Sequence, residues 1–258
     1  MAYARVEFFS QALSRTVEFQ AILPELPAGG EKLQTLYLLH GAYGSSSDWI
    51  QYTRISLWAQ ELGLAVILPS GENSYYTDDV KGRTLYSQFV GAELVAYTRA
   101  LFPLSDKRED TFICGLSMGG YGAITNGLKY CDTFGYVAGL SASLRVDEYP
   151  QAPDNPETMY LRSRGYLERT FGDLDKVAGS DKDYRSLALL AAKKQLPALY
   201  LCCGTEDDLL PHNRDFHNFL LNHHIPHTYE EGPGDHDWDF WNSYIQKVLD
   251  WLPLKQSD

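Results

Sequence analysis

Cysteine is scarce: Cys114, Cys131, Cys202 and Cys203 are the whole set in 258 residues. None has zinc-ligand spacing, and adjacent Cys202 and Cys203 on one strand would point to opposite faces. Histidine offers no better metal site. No His-x-x-x-His lies on an unbroken helix, since Pro226 interrupts the spacing of His223 and His227. Neither a metal nor an organic cofactor is expected. Positive charge is in short supply, 22 Lys and Arg against 34 Asp and Glu, for a formal net charge of −12. Such a field repels phosphate backbones and anionic lipid, so neither nucleic acid nor membrane is an expected partner. It says little about a small neutral substrate, and homo-oligomerisation stays open. No apolar run approaches a membrane span, and MAYARVEFFSQALSRTVEFQ lacks the basic start and apolar stretch of a signal peptide. The expected location is cytoplasmic, where thiols stay reduced. Linkers, repeats and low-complexity tracts are also missing, so one domain over 1–258 is expected.

What is present is a rhythm of short apolar runs. ARVEFFS and SRTVEFQAIL open the chain. In the second, Val17, Phe19 and Ala21 alternate with Glu18 and Gln20, as in an edge hairpin with one wet face. TLYLLHG (35–41), LAVILPS (64–70), TFICGLS (111–117), YVAGLSA (136–142) and PALYLCCG (197–204) are continuously apolar and end in small or polar residues. They read as strands buried on both faces of a mostly parallel sheet. Helical patterns at 55–62, 84–102, 119–130, 182–194, 212–224 and 238–252 alternate with them, giving an α/β fold with helices on both faces. Glu93 interrupts the apolar stripe of 84–102. Residues 143–181 break the alternation: long, polar and proline-containing, with a short helix near 157–171, they read as a lid over the carboxyl edge of the sheet.

FICGLSMGGYGA places Ser117 between glycines. The G-x-S-x-G pattern alone is weak, arising by chance in roughly one chain of this length in ten. Its setting is stronger, because Ser117 falls where a buried strand turns into a helix. A serine nucleophile needs a base, and the base needs an acid to orient it. PALYLCCG is followed by Thr205, Glu206, Asp207 and Asp208, and HTYEEG by PGDHDW, with His236 in a Gly/Pro loop. All three positions lie at carboxyl ends of strands. Spacing leaves Asp207, Asp208 and Glu206 open as the acid, whereas Asp235 and Asp237 flank His236 and should point elsewhere. For the oxyanion, the N–H of Met118 at a helix start and that of Ala42 in the glycine-rich loop HGAYGSSS are the candidate donors. His40 reads as an anchor of that loop. Trp49, Tyr75, Tyr76 and Trp238 are candidates to line a substrate pocket.

LYLLHGAYGSSSDW, GENSYYTD, KREDTFICGLSMGGYGA, CCGTEDDLL and GDHDWDFW together resemble the α/β-hydrolase superfamily, in particular its esterase D-like branch and the tributyrin esterases within it. The resemblance implies an α/β-hydrolase fold with Ser117 as nucleophile, His236 as base and Asp207 as acid, the acid following Cys-Gly and two further residues. It implies Ala42 and Met118 as the oxyanion hole. The expected activity is hydrolysis of short-chain acyl esters through an acyl-enzyme. Acetyl or feruloyl esters of carbohydrates and S-formylglutathione-type thioesters are the alternatives. Tyr121, where formylglutathione hydrolases carry histidine, and HDWDFW after the base depart from the last of these. Outside the enzymes, a binding protein on a retired hydrolase fold is the rival, and a full triad in the right order speaks against it.

Overall fold

The computed structural model describes residues 1–26, 30–79, 81–154 and 160–255. Its main sheet contains β1 (Ala2–Ser10), β2 (Arg15–Leu23), β3 (Thr35–Leu39) and β4 (Ala65–Pro69). A two-residue ladder, β5 (Asp78–Asp79) with β6 (Thr84–Leu85), stands apart. The main sheet continues with β7 (Thr111–Leu116), β8 (Tyr136–Leu140), β9 (Ala198–Gly204) and β10 (Thr228–Gly232).

The spatial order is β1-β2-β4-β3-β7-β8-β9-β10. β1 pairs antiparallel with β2, and β2 with β4; every later neighbour in the sheet is parallel. This is the expected hairpin added to a parallel sheet. The wet face of β2 is only partial, because Gln20 is buried and donates to Ser46 Oγ at 2.9 Å.

Alternation within the buried strands sorts their side chains to two faces. Tyr37, Leu39, Ile67 and Ile113 enter one core with the helices Met118–Lys129, Tyr184–Lys194 and Leu210–Asn222. Leu36, Leu38, Val66 and Cys114 enter the other with Ile55–Glu61 and Trp238–Trp251. In the last helix Phe240, Trp241, Tyr244, Ile245, Val248 and Leu249 form the i, i+3, i+4 stripe that packs onto the sheet.

The 84–102 pattern resolves into more than one helix. Thr84 and Leu85 belong to β6, and Phe89–Glu93 is a π-helical segment between Tyr86–Gln88 and Leu94–Leu101. Glu93, the interruption of the stripe, accepts from the Gln11 N–H at 2.7 Å and the Ala12 N–H at 3.3 Å. It ties this helix to the β1–β2 turn. In the 143–181 segment, 3-10 turns at Val146–Gln151, Tyr160–Arg162 and Leu174–Lys176 flank a helix at Arg164–Phe171. The start expected near 157 lies outside the described residues. The Asp48–Tyr52 helix had no counterpart in the sequence reading.

The chain moves outward from β3 to β4 and then returns across β3 to β7. Two loops therefore leave the carboxyl edge side by side, after β3 and after β7. That reversal of strand order is where open α/β sheets hold ligands.

Candidate active site

Ser117 follows β7 directly and precedes the helix Met118–Lys129. Its backbone is at φ 55°, ψ −118°, a left-handed conformation that costs a non-glycine residue about 1–3 kcal/mol. The neighbours hold it there. Its N–H donates to the Leu140 carbonyl at 2.9 Å, and its own carbonyl accepts from Tyr121 and Ser143 N–H groups, both at 3.0 Å. Glycine lets the helix lie this close to the sheet: a Cβ on Gly119 would stand 2.5 Å from the His40 carbonyl oxygen.

His236 Nε2 lies 2.9 Å from Ser117 Oγ, and its Nδ1 lies 2.8 Å from Asp207 Oδ2. A carboxylate only accepts, so Nδ1 carries the proton and the neutral ring's Nε2 accepts from the serine hydroxyl. The other carboxylate oxygen of Asp207 accepts from the Leu209 N–H at 2.7 Å. Burial pushes the Asp207 carboxyl up. The His236 hydrogen bond and charge, with the Leu209 N–H, outweigh this and hold it below the ordinary aspartate value.

The rival acids have other duties. Glu206 accepts from Thr205 Oγ1 at 2.8 Å and from the Gly234 N–H at 2.6 Å. With the Glu206 N–H donating to the Gly234 carbonyl at 3.0 Å, it stitches the acid loop to the histidine loop. A Cβ on Gly204 would meet that same Gly234 oxygen at 2.2 Å, so only glycine permits the approach. Asp208 is exposed on the cavity rim. Asp235 accepts from the backbone N–H of His236 at 2.7 Å, and Asp237 caps the last helix through the Phe240 N–H at 3.0 Å. They fix the loop on both sides of the ring.

Ala42 and Met118 both line the cavity beside Ser117. Met118 is the first residue of its helix, so its N–H has no acceptor within that helix. His40 is buried behind them. Its Nδ1–H donates to the Gly41 carbonyl at 2.7 Å, and Nε2 accepts from the Gly71 N–H at 2.8 Å. Burial lowers its pKa, against smaller opposing effects of the Gly41 carbonyl and Asp48. It pins the β3 loop to the loop after β4.

These groups open into a cavity of about 640 Å³. Tyr75 and Trp238 line it. Trp49 and Tyr76 do not. Trp49 is buried with Nε1 donating to the Leu39 carbonyl at 3.0 Å, and it supports Trp238 edge-on. Tyr76 is fully buried and donates to the His40 carbonyl at 3.1 Å. Both aromatics fill volume and brace the loop that carries Ala42. The far wall comes from the 143–181 segment, through residues such as Arg145, Tyr149, Leu161 and Leu167, with Trp241 beside His236. None of these residues is marked by a sequence cue as part of a pocket wall. Arg145 left no such signal, since Ser141, Ala142, Ser143 and Leu144 separate it from the end of β8. Tyr121, the departure from the formylglutathione hydrolase pattern, is buried outside the cavity wall with its hydroxyl donating to the Lys182 carbonyl at 2.6 Å.

A mostly parallel sheet with a serine on a strained strand-to-helix turn, facing aspartate and histidine from the loops after β9 and β10, is the arrangement of an α/β-hydrolase. The family model Esterase, described as "Putative esterase", matches residues 10–252. The chain belongs to this esterase family and is a carboxylic ester hydrolase. It is 43% identical over 262 residues to an acetyl esterase of Caldicellulosiruptor saccharolyticus, covering 98% of each chain. Among solved structures it is similar to the fluorophosphonate-binding serine hydrolase F of Staphylococcus aureus, at 33% identity and TM-score 0.86, covering 97% of this chain and 98% of that one. An S-formylglutathione hydrolase of the same organism matches at 33% identity and TM-score 0.84, with the same coverage. A ferulic acid esterase at 22% identity and TM-score 0.76 shares the fold. Among the described residues no helix is long and apolar enough to cross a membrane.

Proposed function

We propose that this chain is a serine esterase of short-chain acyl esters that works through an acyl-enzyme. One observation carries the reading: the relay from Asp207 through His236 to Ser117, at 2.8 and 2.9 Å, opening into a cavity lined by Ala42 and Met118. Ser117 Oγ attacks the ester carbonyl as His236 Nε2 takes its proton. Asp207 holds the ring in the required tautomer and stabilises the imidazolium. The Ala42 and Met118 N–H groups receive the negative charge that develops on the carbonyl oxygen. His236 returns the proton to the departing alcohol, and water then repeats the sequence on the acyl-enzyme. The 143–181 segment serves as the lid, and Tyr75 and Trp238 contact the substrate. Tributyrin-like and acetyl esters are both within this reading, and similarity to an acetyl esterase over 98% of the chain favours the short end.

A thioester reading draws on the likeness to an S-formylglutathione hydrolase and on Tyr121, whose burial outside the wall keeps its departure from that pattern away from the substrate. Four free, buried thiols support a cytoplasmic setting. The deciding experiment is intact mass after treatment with a fluorophosphonate. A single adduct mapped to residues 112–123 is expected; no adduct, or one elsewhere, would overturn the assignment.

A further inference from the structure

One charge in the cavity lacks the partners its setting requires. Arg145 lines the wall, two residues after Ser143, whose N–H binds the Ser117 carbonyl. Its side chain is 14% exposed, and its ion-pair contact among the described residues is Glu148 at 3.9 Å. That is too long for a hydrogen bond. Glu148 is itself 55% exposed and held by His212 Nε2 at 2.6 Å. The buried Nε of Arg145 has no partner among the described residues. A guanidinium stays charged at every physiological pH, and a charge taken out of water is ordinarily paired.

Other partly buried arginines of this chain obey that rule. Arg99 donates to the Ser105 carbonyl at 3.1 Å and to Thr111 Oγ1 at 2.8 Å. Arg108 donates to the Cys131 carbonyl at 2.6 Å. The carboxylates around the cavity are also provided for. Asp48 accepts from Ser45 Oγ at 2.8 Å, Asp235 from the His236 N–H at 2.7 Å, and Asp208 is exposed to water. Arg145 and Arg162 both act on Tyr75 in the wall, which Glu148 also lines. Burial raises the pKa of the Tyr75 hydroxyl, while the Ser143 hydrogen bond and then the charges of Arg145 and Arg162 oppose it. Arg162 lines the same cavity.

We propose that the cavity selects esters or thioesters bearing a carboxylate, which Arg145 receives with Arg162 as a second positive group. This rests on the serine-esterase reading and adds a substrate class to it. The carboxylate can belong to the acyl chain, as in the half-ester of a dicarboxylic acid, or to the leaving alcohol or thiol.

Two pairs of esters distinguish these sources. 4-Nitrophenyl hemiglutarate against 4-nitrophenyl butyrate tests the acyl side, and 3-carboxyphenyl acetate against phenyl acetate tests the leaving side. Each kcat/KM is divided by the ester's rate with hydroxide. In the wild type one anionic ester should exceed its neutral counterpart by about 10-fold or more, the worth of a charge-assisted hydrogen bond. Arg145→Gln should reduce that ratio by at least about 10-fold, mainly through KM, and Arg145→Lys should restore part of it. Equal treatment of both pairs by the wild type, or a ratio untouched in Arg145→Gln, overturns the proposal. Should Arg145→Gln fail to fold, competitive inhibition of the wild type decides: glutarate should inhibit more strongly than butyramide, and equal inhibition overturns it. Turnover of the neutral esters without anionic preference sinks this inference alone. No turnover of any of the four sinks the serine-esterase reading and this one with it.

Discussion

His40 and His236 stand at the same carboxyl edge, on the loops that follow β3 and β10, and their surroundings differ in kind. His40 is 1% exposed and both ring nitrogens meet backbone groups, a carbonyl and an N–H. His236 is partly exposed and both of its nitrogens meet side chains, a carboxylate and a hydroxyl. Backbone partners cannot give up or take a proton, so they fix a ring. A carboxylate stabilises the imidazolium and a hydroxyl gives up its proton, so they put the ring to chemical use. The first loop is built to hold still, and in the proposed mechanism the second transfers protons.

The sharpest way to break this contrast is at the reacting end. Ser117→Ala should lower kcat for an acetyl or butyryl ester by about 10⁴-fold or more, and His236→Ala should do nearly the same, because members of such a triad act as a unit. A stopped assay of ester hydrolysis on the purified variants checks this, and wild-type rates in either would remove the assignment. Next in size is Asp207→Asn. Keeping the shape while inverting the proton arrangement at Nδ1 should lose about 10³–10⁴-fold in kcat.

On the structural side, His40→Ala leaves the buried Gly71 N–H without an acceptor. The expected cost is about 1–3 kcal/mol in denaturant unfolding, with a smaller loss of kcat than in His236→Ala. If kcat fell as far as in His236→Ala at full stability, the division of labour would be wrong. The pH dependence of stability sharpens the same point. The folded pKa of His40 is depressed below its ordinary 6.5 because burial disfavours the cation. Its contribution is therefore complete above about pH 6.5 and lost as pH falls from there through the lowered folded value. Unfolding free energies of wild type and His40→Gln should converge over that window; parallel curves would contradict it. The smallest effect belongs to Asp208→Asn, a change at an exposed rim carboxylate, expected to leave kcat within about 3-fold as surface substitutions away from such networks generally do. Steady-state kinetics beside Asp207→Asn tests it, and equal losses in the two would undo the choice between them.

The strands were legible because short continuous apolar runs, such as Leu36–Leu39 within β3, have few ways to hide both faces except inside a parallel sheet. The serine was legible because its glycines sit where a buried strand meets a helix. Aromatic residues near the site were not, since Trp49 and Tyr76 have the same composition cue as Trp238 and Tyr75 and differ only in what packs on them. The π-helical segment Phe89–Glu93 was hidden because an apolar stripe at helical spacing does not report a local change of hydrogen-bond register.

By itself the order of residues determined the alternation of strands and helices, the turn at Ser117 and the chain order of the proposed nucleophile, acid and base, since periodicity and glycine placement are local properties. Spacing left Glu206, Asp207 and Asp208 open and the resemblance pointed to Asp207; only the tertiary structure shows which of them meets His236, and only it brought Arg145 into the cavity. Those outcomes depend on how the loops after β7, β8, β9 and β10 meet over one edge, which is a matter of angstroms between residues far apart in the chain.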